Sequence, residues 1–208
     1  MSELLTDMSC SDFADAIAAK TSVPGGGAVA AYAGAMGAAL CSMVGEFTTG
    51  KKRYAEYEED VQRMLVEAEE VRRTLVGLVD ADAEAFEPLS KAYGIPKDDP
   101  NRAGIVEAAT KTACAAPMEM MRQCAKTIEL LEEMEQKGSR MLLSDVGCGA
   151  AMAGAALQSA SMNVTVNTKT LLDRDYANKL DDEVDELLGT YVPRANAIVE
   201  RVSAKLRG

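Results

Sequence analysis

The apolar positions of this chain recur at helical spacing almost throughout its length. Across residues 54–92, Val61, Met64, Leu65, Ala68, Val71, Leu75, Leu78, Val79 and Phe86 repeat every three or four positions while Glu and Arg fill the other face, which predicts one long amphipathic helix. Pro88 is expected to bend it near its end. A second long helix is predicted over 102–136, kinked at Pro117 and closed by Gly138 as a left-handed cap. A last helix carries Leu180, Val184, Leu187, Tyr191, Ala195, Ile198, Val202 and Leu206 on one stripe. No run alternates with the period of a strand, and no internal repeat is present.

Two segments, 23–45 and 146–168, contain no charged residue. Each is long enough to span a bilayer, but Ala, Gly and Ser dominate over Leu, Ile and Phe, so both are read as buried helices of a bundle. In the first, residues 21–27 with Pro24, Gly25, Gly26 and Gly27 form a loop, and a helix is expected over 28–48. Gly34, Gly37 and Ala38 on that helix let a neighbouring backbone come close. Gly50 ends it. In the second, Ser144 and Asp145 are candidate N-caps, and a short separate element is expected around 163–172. Ser9 or Ser11 caps a short N-terminal helix, and residues 93–101, with Gly94, Pro96 and Pro100, form the clearest interior loop. The expected fold class is all-α, a single-domain helical bundle of long, partly kinked helices over residues 1–208.

Composition sharpens this picture. Aromatic residues make up 4% of the chain, Trp is absent, and 12 Met with many Ala supply the apolar content, which favours helices packed through small residues. The formal net charge of −11 argues against nucleic acid as a partner. A polyanionic small molecule would need a local basic cluster, and Lys51, Lys52 and Arg53 supply one. Five scattered cysteines fit neither a disulfide framework nor a zinc site, so reduced thiols and a cytoplasmic setting are expected. The N-terminal residues lack the basic and apolar regions of a secretory signal, and no membrane association is expected.

Histidine is also absent, which excludes Ser-His-Asp and Cys-His hydrolases and leaves proton transfer to Asp, Glu, Lys, Tyr or Cys. Three segments carry candidate chemistry. Gly25, Gly26 and Gly27 precede a helix whose free N–H groups and positive dipole end suit an anion or a ligand oxygen. The cations of 50–54 suit a carboxylate, although cations at a helix C-terminus also simply offset the dipole. The third segment groups Asp82, Asp145, Asn163 and Asn167. Asn163 and Asn167 share a face if their element is helical, and two amides suit the donor and acceptor edge of a planar heterocycle. Asp80 and Asp82 cannot share a helix face.

Taken in order, 23–31 (VPGGGAVAA), 50–54 (GKKRY), 80–83 (DADA) with Phe86, 95–97 (IPK), 144–147 (SDVG) and 163–167 (NVTVN) resemble the formiminotransferase-cyclodeaminase family and its stand-alone methenyltetrahydrofolate cyclohydrolases. The chain departs from that pattern at Ala28, where Ser is common, and at Ser139 and Met141, where Asn is common. The resemblance implies a helical homodimer with folate in a cleft between helices. It also implies a reaction at the carbon bridging two folate nitrogens, with no cofactor beyond the tetrahydrofolate substrate and no metal. In one direction this carbon is hydrolysed to 10-formyltetrahydrofolate; in the alternative, ammonia leaves 5-formiminotetrahydrofolate. A non-catalytic folate-binding helical protein is the alternative of another class. On this resemblance Asp145 is the first candidate for the catalytic carboxylate and Asp82 the second. Gly25, Gly26 and Gly27 offer N–H groups, Lys51 and Lys52 pair with glutamyl carboxylates, and Asn163 and Asn167 read the pterin edge.

Overall fold

A computed structural model describes residues 4–208, and among these the chain forms helices and no strand. The short α1 (Cys10–Ala18) is capped by Ser9, whose hydroxyl accepts the Asp12 N–H. The long helices are α2 (Gly26–Glu46), α3 (Glu58–Tyr93), α4 (Arg102–Lys137), α5 (Leu143–Thr168) and α6 (Arg174–Arg207). Three short 3₁₀ turns, Leu5–Asp7, Lys52–Tyr57 and Arg140–Leu142, complete the set. Helices α2, α3, α4 and α5 pack in a ring, each against the next, and α6 lies in the groove between α4 and α5.

Glycines set how closely α2 meets its neighbours. A Cβ at Gly34 would lie 2.9 Å from the Cys124 sulfur of α4 and 3.2 Å from Leu75 of α3, and one at Gly45 would lie 2.7 Å from Leu65. A Cβ at Gly37 would lie 3.0 Å from the Gly149 carbonyl oxygen, so α2 and α5 touch backbone to backbone. Successive contacts run in opposite directions along the partners, which makes α2 antiparallel to both α3 and α5. The uncharged segments are thus the two central helices. Each is long and apolar enough to cross a membrane, yet each buries one face in the bundle. The core fills with Met64, Leu75, Met118, Met120, Met121, Ile128, Leu131, Met134 and Leu157, all fully or almost fully buried.

The polar faces are also stitched. On α4, Glu129, Glu132 and Glu135 follow one another at three-residue spacing and meet Tyr191, Arg194, Arg201 and Lys205 of α6. The Glu135 side chain is only 3% exposed, and burial opposes its charge. Hydrogen bonds from Arg201 and Lys205 outweigh that cost and hold its carboxyl below the usual range.

Four local expectations change. Helix α2 begins two residues early, at Gly26, because its first turn finds a partner in α3. Gly138 is extended (φ −79°, ψ 170°) and not left-handed. It is required for contact, since a Cβ there would lie 2.6 Å from the Met134 carbonyl oxygen and 2.9 Å from Val44. Ser144 and Asp145 lie inside the first turn of α5 and do not cap it; the cap position is Leu142. Helix α5 also runs unbroken through Asn163 to Thr168, so the separate element expected at 163–172 does not exist. Gly50, by contrast, takes φ +71° and reverses the chain after α2.

Gly37→Val should force α2 and α5 apart and destabilise the fold by about 2–3 kcal/mol. In a chain of this size that is a fall of roughly 5–10 °C in thermal midpoint. Gly77→Ala, on an open face of α3 with nothing within 4 Å of the added carbon, should raise stability by about 0.5–1 kcal/mol. Thermal unfolding followed by circular dichroism checks both signs.

Candidate functional site

Helix α2 starts without a side-chain cap: Gly25 holds the cap position in an extended conformation and offers no acceptor. The N–H groups of the first turn are therefore free to meet a group from elsewhere. That group is Asp82, reaching across from α3. Its carboxylate lies against Gly27 so closely that a Cβ at that position would overlap it, and the Ala28 N–H donates to it. Only glycine at position 27 admits this approach. Gly26 faces α5, where a Cβ would make ordinary contact with the Asn163 side-chain oxygen at 3.5 Å.

Asn163 and Asn167 lie one turn apart on α5. The Asn163 amide donates to the Ser159 carbonyl at 2.8 Å, and the Asn167 amide donates to the Ala113 carbonyl of α4 at 3.3 Å. One N–H of each amide is used within the protein, so each keeps its acceptor oxygen and a second N–H. Both border a cavity of about 140 Å³ that Gly25, Gly26, Gly27, Asp82 and Phe86 also line. Burial raises the Asp82 carboxyl above the usual carboxylate range, against the lowering effect of the Ala28 N–H. A carboxylate in this setting can exchange protons nearer neutrality than an exposed one. The lining contains no Lys or Arg, so an anionic part of a ligand finds no countercharge in this cavity.

The remaining candidates stand at the other end of the bundle. Lys51 and Lys52 follow the C-terminus of α2, roughly 30 Å from its glycines by the helical rise of its 21 residues. Asp145 lies in the first turn of α5, about 27 Å from Asn163 by the same measure. Within one chain, then, Asp145 and the lysines do not meet the glycines, whereas Asp82, Asn163 and Asn167 do. Two helices, each continuous from one group to the other, hold the groups apart. Helix α5 carries the chain from Asp145 to Asn163 without a break.

The basic turn is itself firmly built. The buried Thr48 hydroxyl accepts the Ser139 N–H at 2.8 Å, and the Tyr54 hydroxyl accepts the Arg140 N–H at 3.0 Å. Glu58 accepts the Gly50 N–H at 2.9 Å. Of the three departures from the family pattern, Ala28 borders Asp82, whereas the buried Ser139 and the exposed Met141 lie beside this basic turn. Sequence reasoning did not single out Pro117 and Ser22, which also line the cavity, because neither carries an ionisable group or a metal-ligating atom.

Comparison with known proteins adds to this geometry. A profile described as formiminotransferase-cyclodeaminase matches residues 9–186. A methenyltetrahydrofolate cyclohydrolase of Methylorubrum extorquens is 41% identical, over 93% of this chain and 95% of that protein. The formimidoyltransferase-cyclodeaminase of Mus musculus is 29% identical over 97% of this chain, which spans only 38% of that longer protein. The crystal structure of formiminotetrahydrofolate cyclodeaminase from Thermotoga maritima superposes with a TM-score of 0.85 and 32% identity, covering 95% of this chain and 98% of that one.

The raised Asp82 carboxyl has a measurable consequence. Its folded state binds a proton more tightly than the unfolded chain does, so the stabilisation is full below the ordinary carboxylate pKa and is lost as pH rises through the folded value. Asp82→Asn should therefore melt above the parent at neutral pH, with the gap closing towards about pH 4. Thermal midpoints measured across that range test it, and a variant less stable than the parent at pH 7 contradicts it.

Proposed function

Because this chain belongs to the formiminotransferase-cyclodeaminase family, we propose that it is a folate one-carbon enzyme, a 5,10-methenyltetrahydrofolate cyclohydrolase that yields 10-formyltetrahydrofolate. The observation that carries this reading is the Asp82 carboxylate lodged at the start of α2, in one cavity with the amides of Asn163 and Asn167. Near-full-length identity to a stand-alone cyclohydrolase favours hydrolysis.

Water adds to the electron-poor methenyl carbon between N5 and N10, and the C–N5 bond then breaks, leaving the formyl group on N10. The attacking water loses one proton as it adds, and N5 gains one as the C–N5 bond breaks. The hydroxyl left on the carbon gives its proton to solvent as the formyl C=O forms, so the cation and water yield neutral product and one released proton. Asp82 takes the first of these protons and delivers the one on N5, a role supported by its raised pKa and its place in the cavity wall. Asn163 and Asn167 accept hydrogen bonds from the pterin edge, and the N–H groups at Gly25, Gly26 and Gly27 meet ligand oxygens. The five free cysteines support a cytosolic setting.

Lys51 and Lys52, which we assign to the glutamyl carboxylates, enter through a homodimer. The exposed sides of α2 and α5 form a face without charge along both central helices, with Val29, Met152, Met162 and Val166 on it. A two-fold axis perpendicular to α2 at its middle covers this face and exchanges the ends of the bundle. Lys51, Lys52 and Asp145 of the partner subunit then approach the Asp82 cavity, and Asp145 of the partner subunit becomes the second carboxylate.

A second reading, release of ammonia from 5-formiminotetrahydrofolate, is favoured by the Thermotoga maritima structure, a chain of matching length that is titled a cyclodeaminase. The two share a tetrahedral carbon and separate by product. Purified protein should accelerate the loss of the near-ultraviolet absorbance of 5,10-methenyltetrahydrofolate and release little ammonia from the formimino substrate; the reverse pattern establishes the second reading. Asp82→Asn should lower turnover at least about a hundredfold while folate still binds. Undiminished turnover removes Asp82 from the mechanism, and Asp145→Asn assayed in parallel decides whether the second carboxylate takes part.

A further inference from the structure

Residues 4–24 run across α2 and α3 as an arm that ends at the rim of the Asp82 cavity. Neither its 3₁₀ turn nor α1 contains a buried residue. Leu5 and Phe13 rest half-buried against the core, and a void of about 80 Å³ remains between Leu5, Met8, Phe13, Tyr32 and Val79, so the arm is incompletely packed on the bundle. Two attachments stand out. The Phe13 ring meets Tyr32 with centroids 5.8 Å apart. Asp80 accepts the Leu5 N–H on one oxygen at 2.6 Å and the Thr6 hydroxyl on the other at 2.7 Å. At the far end of the arm Pro24 is buried, and Ser22 and Val23 form part of the cavity wall.

We propose that this arm is a cover for the folate cavity, pivoting on Pro24, and that Asp80 is the positioning residue that latches it. The proposal rests on the reading of that cavity as the folate site. Asp80 and Asp82 are two positions apart on α3 and so point to different sides, one holding the arm and the other facing the ligand. A segment whose only fully buried side chain is at its Pro24 pivot, and which covers a void, opens at a lower cost than a core helix does. The two bonds to a carboxylate are charge-assisted and supply the closing bias. Opening withdraws Ser22 and Val23 from the wall, so only the closed fraction binds. The apparent KM then equals the intrinsic value divided by that fraction, while the chemistry of the closed complex, and with it kcat, is unchanged.

Lys20 provides the readout. It is exposed on the arm and is the only Lys or Arg before Lys51. Without ligand, Asp80→Ala should be cut by trypsin after Lys20 about tenfold faster than the parent. Added tetrahydrofolate should slow that cut in the parent. The same variant should show a KM raised about tenfold with kcat within about twofold. Thr6→Val, which removes one of the two bonds from the arm's side, should shift both readouts in the same direction by less. Asp80→Asn, which keeps an acceptor for Leu5, should fall between parent and Asp80→Ala. Cleavage after Lys20 at the parent rate in both Asp80→Ala and Thr6→Val overturns the latch, as does a kcat that falls in step with the thermal midpoint. A protein that neither binds nor converts either folate defeats the functional reading, and the ligand-free cleavage still decides the latch on its own.

Discussion

Backbone contact between α2 and its neighbours is the constraint on which the rest of this protein depends. Where Gly37 meets Gly149, two uncharged helices touch without side chains between them. The same helix turns Gly27, Gly34 and Gly45 towards α3 and α4. Small residues lower the distance between helix axes and raise the number of dispersion contacts made per turn, which compensates for a core short of aromatic residues. They also fix the register. Because α2 is held at several points along its length, its first turn cannot slide relative to Asp82 or Asn163.

That register makes a site out of residues that would otherwise be ordinary. A carboxylate late in an amphipathic helix is normally solvated, and an uncapped helix start is normally hydrated. Bringing the two together under partial cover leaves each as the other's partner: N–H groups stabilise the charge while burial opposes it. Burial prevails, and the carboxyl rises. The tight fit over Gly27 is therefore both a packing feature and what holds the Asp82 carboxyl in its half-covered setting. It also explains why the cavity holds a proton carrier and acceptors but no cation: α2 and α5 carry no charged residue on the turns that line it.

The opposite end of the bundle has a different character. Thr48 and Tyr54 bind the turn after α2 to the α4–α5 connection, and Glu58 closes the turn on itself through Gly50, which presents Lys51, Lys52 and Arg53 on a rigid frame. A ligand with an apolar, hydrogen-bonding head and an anionic tail needs both ends. Within one chain the two ends stand apart, because α2 and α5 run unbroken between them. The N-terminal arm contributes Ser22 and Val23 to the cavity wall and is fastened by Asp80, two residues from the Asp82 carboxylate that lines the same cavity.

Helical periodicity alone determined that the chain is all-α, because stripes such as Val61 to Phe86 have no other consistent reading. The six ordered motifs were likewise sufficient to indicate the family, and the absence of histidine confined proton transfer to a carboxylate or another weak acid. Tertiary structure decided which candidates meet. Asp82 rather than Asp145 stands beside the glycines because α3 is antiparallel to α2, and antiparallel pairing brings the end of one helix to the start of the next. Asp145 and the lysines are held away because α2 and α5 are continuous, and a helix of 21 to 26 residues cannot bring its own ends together. Local sequence carries the length and the faces of each helix. Which faces meet, and at what height, follows from contacts between residues far apart in the chain.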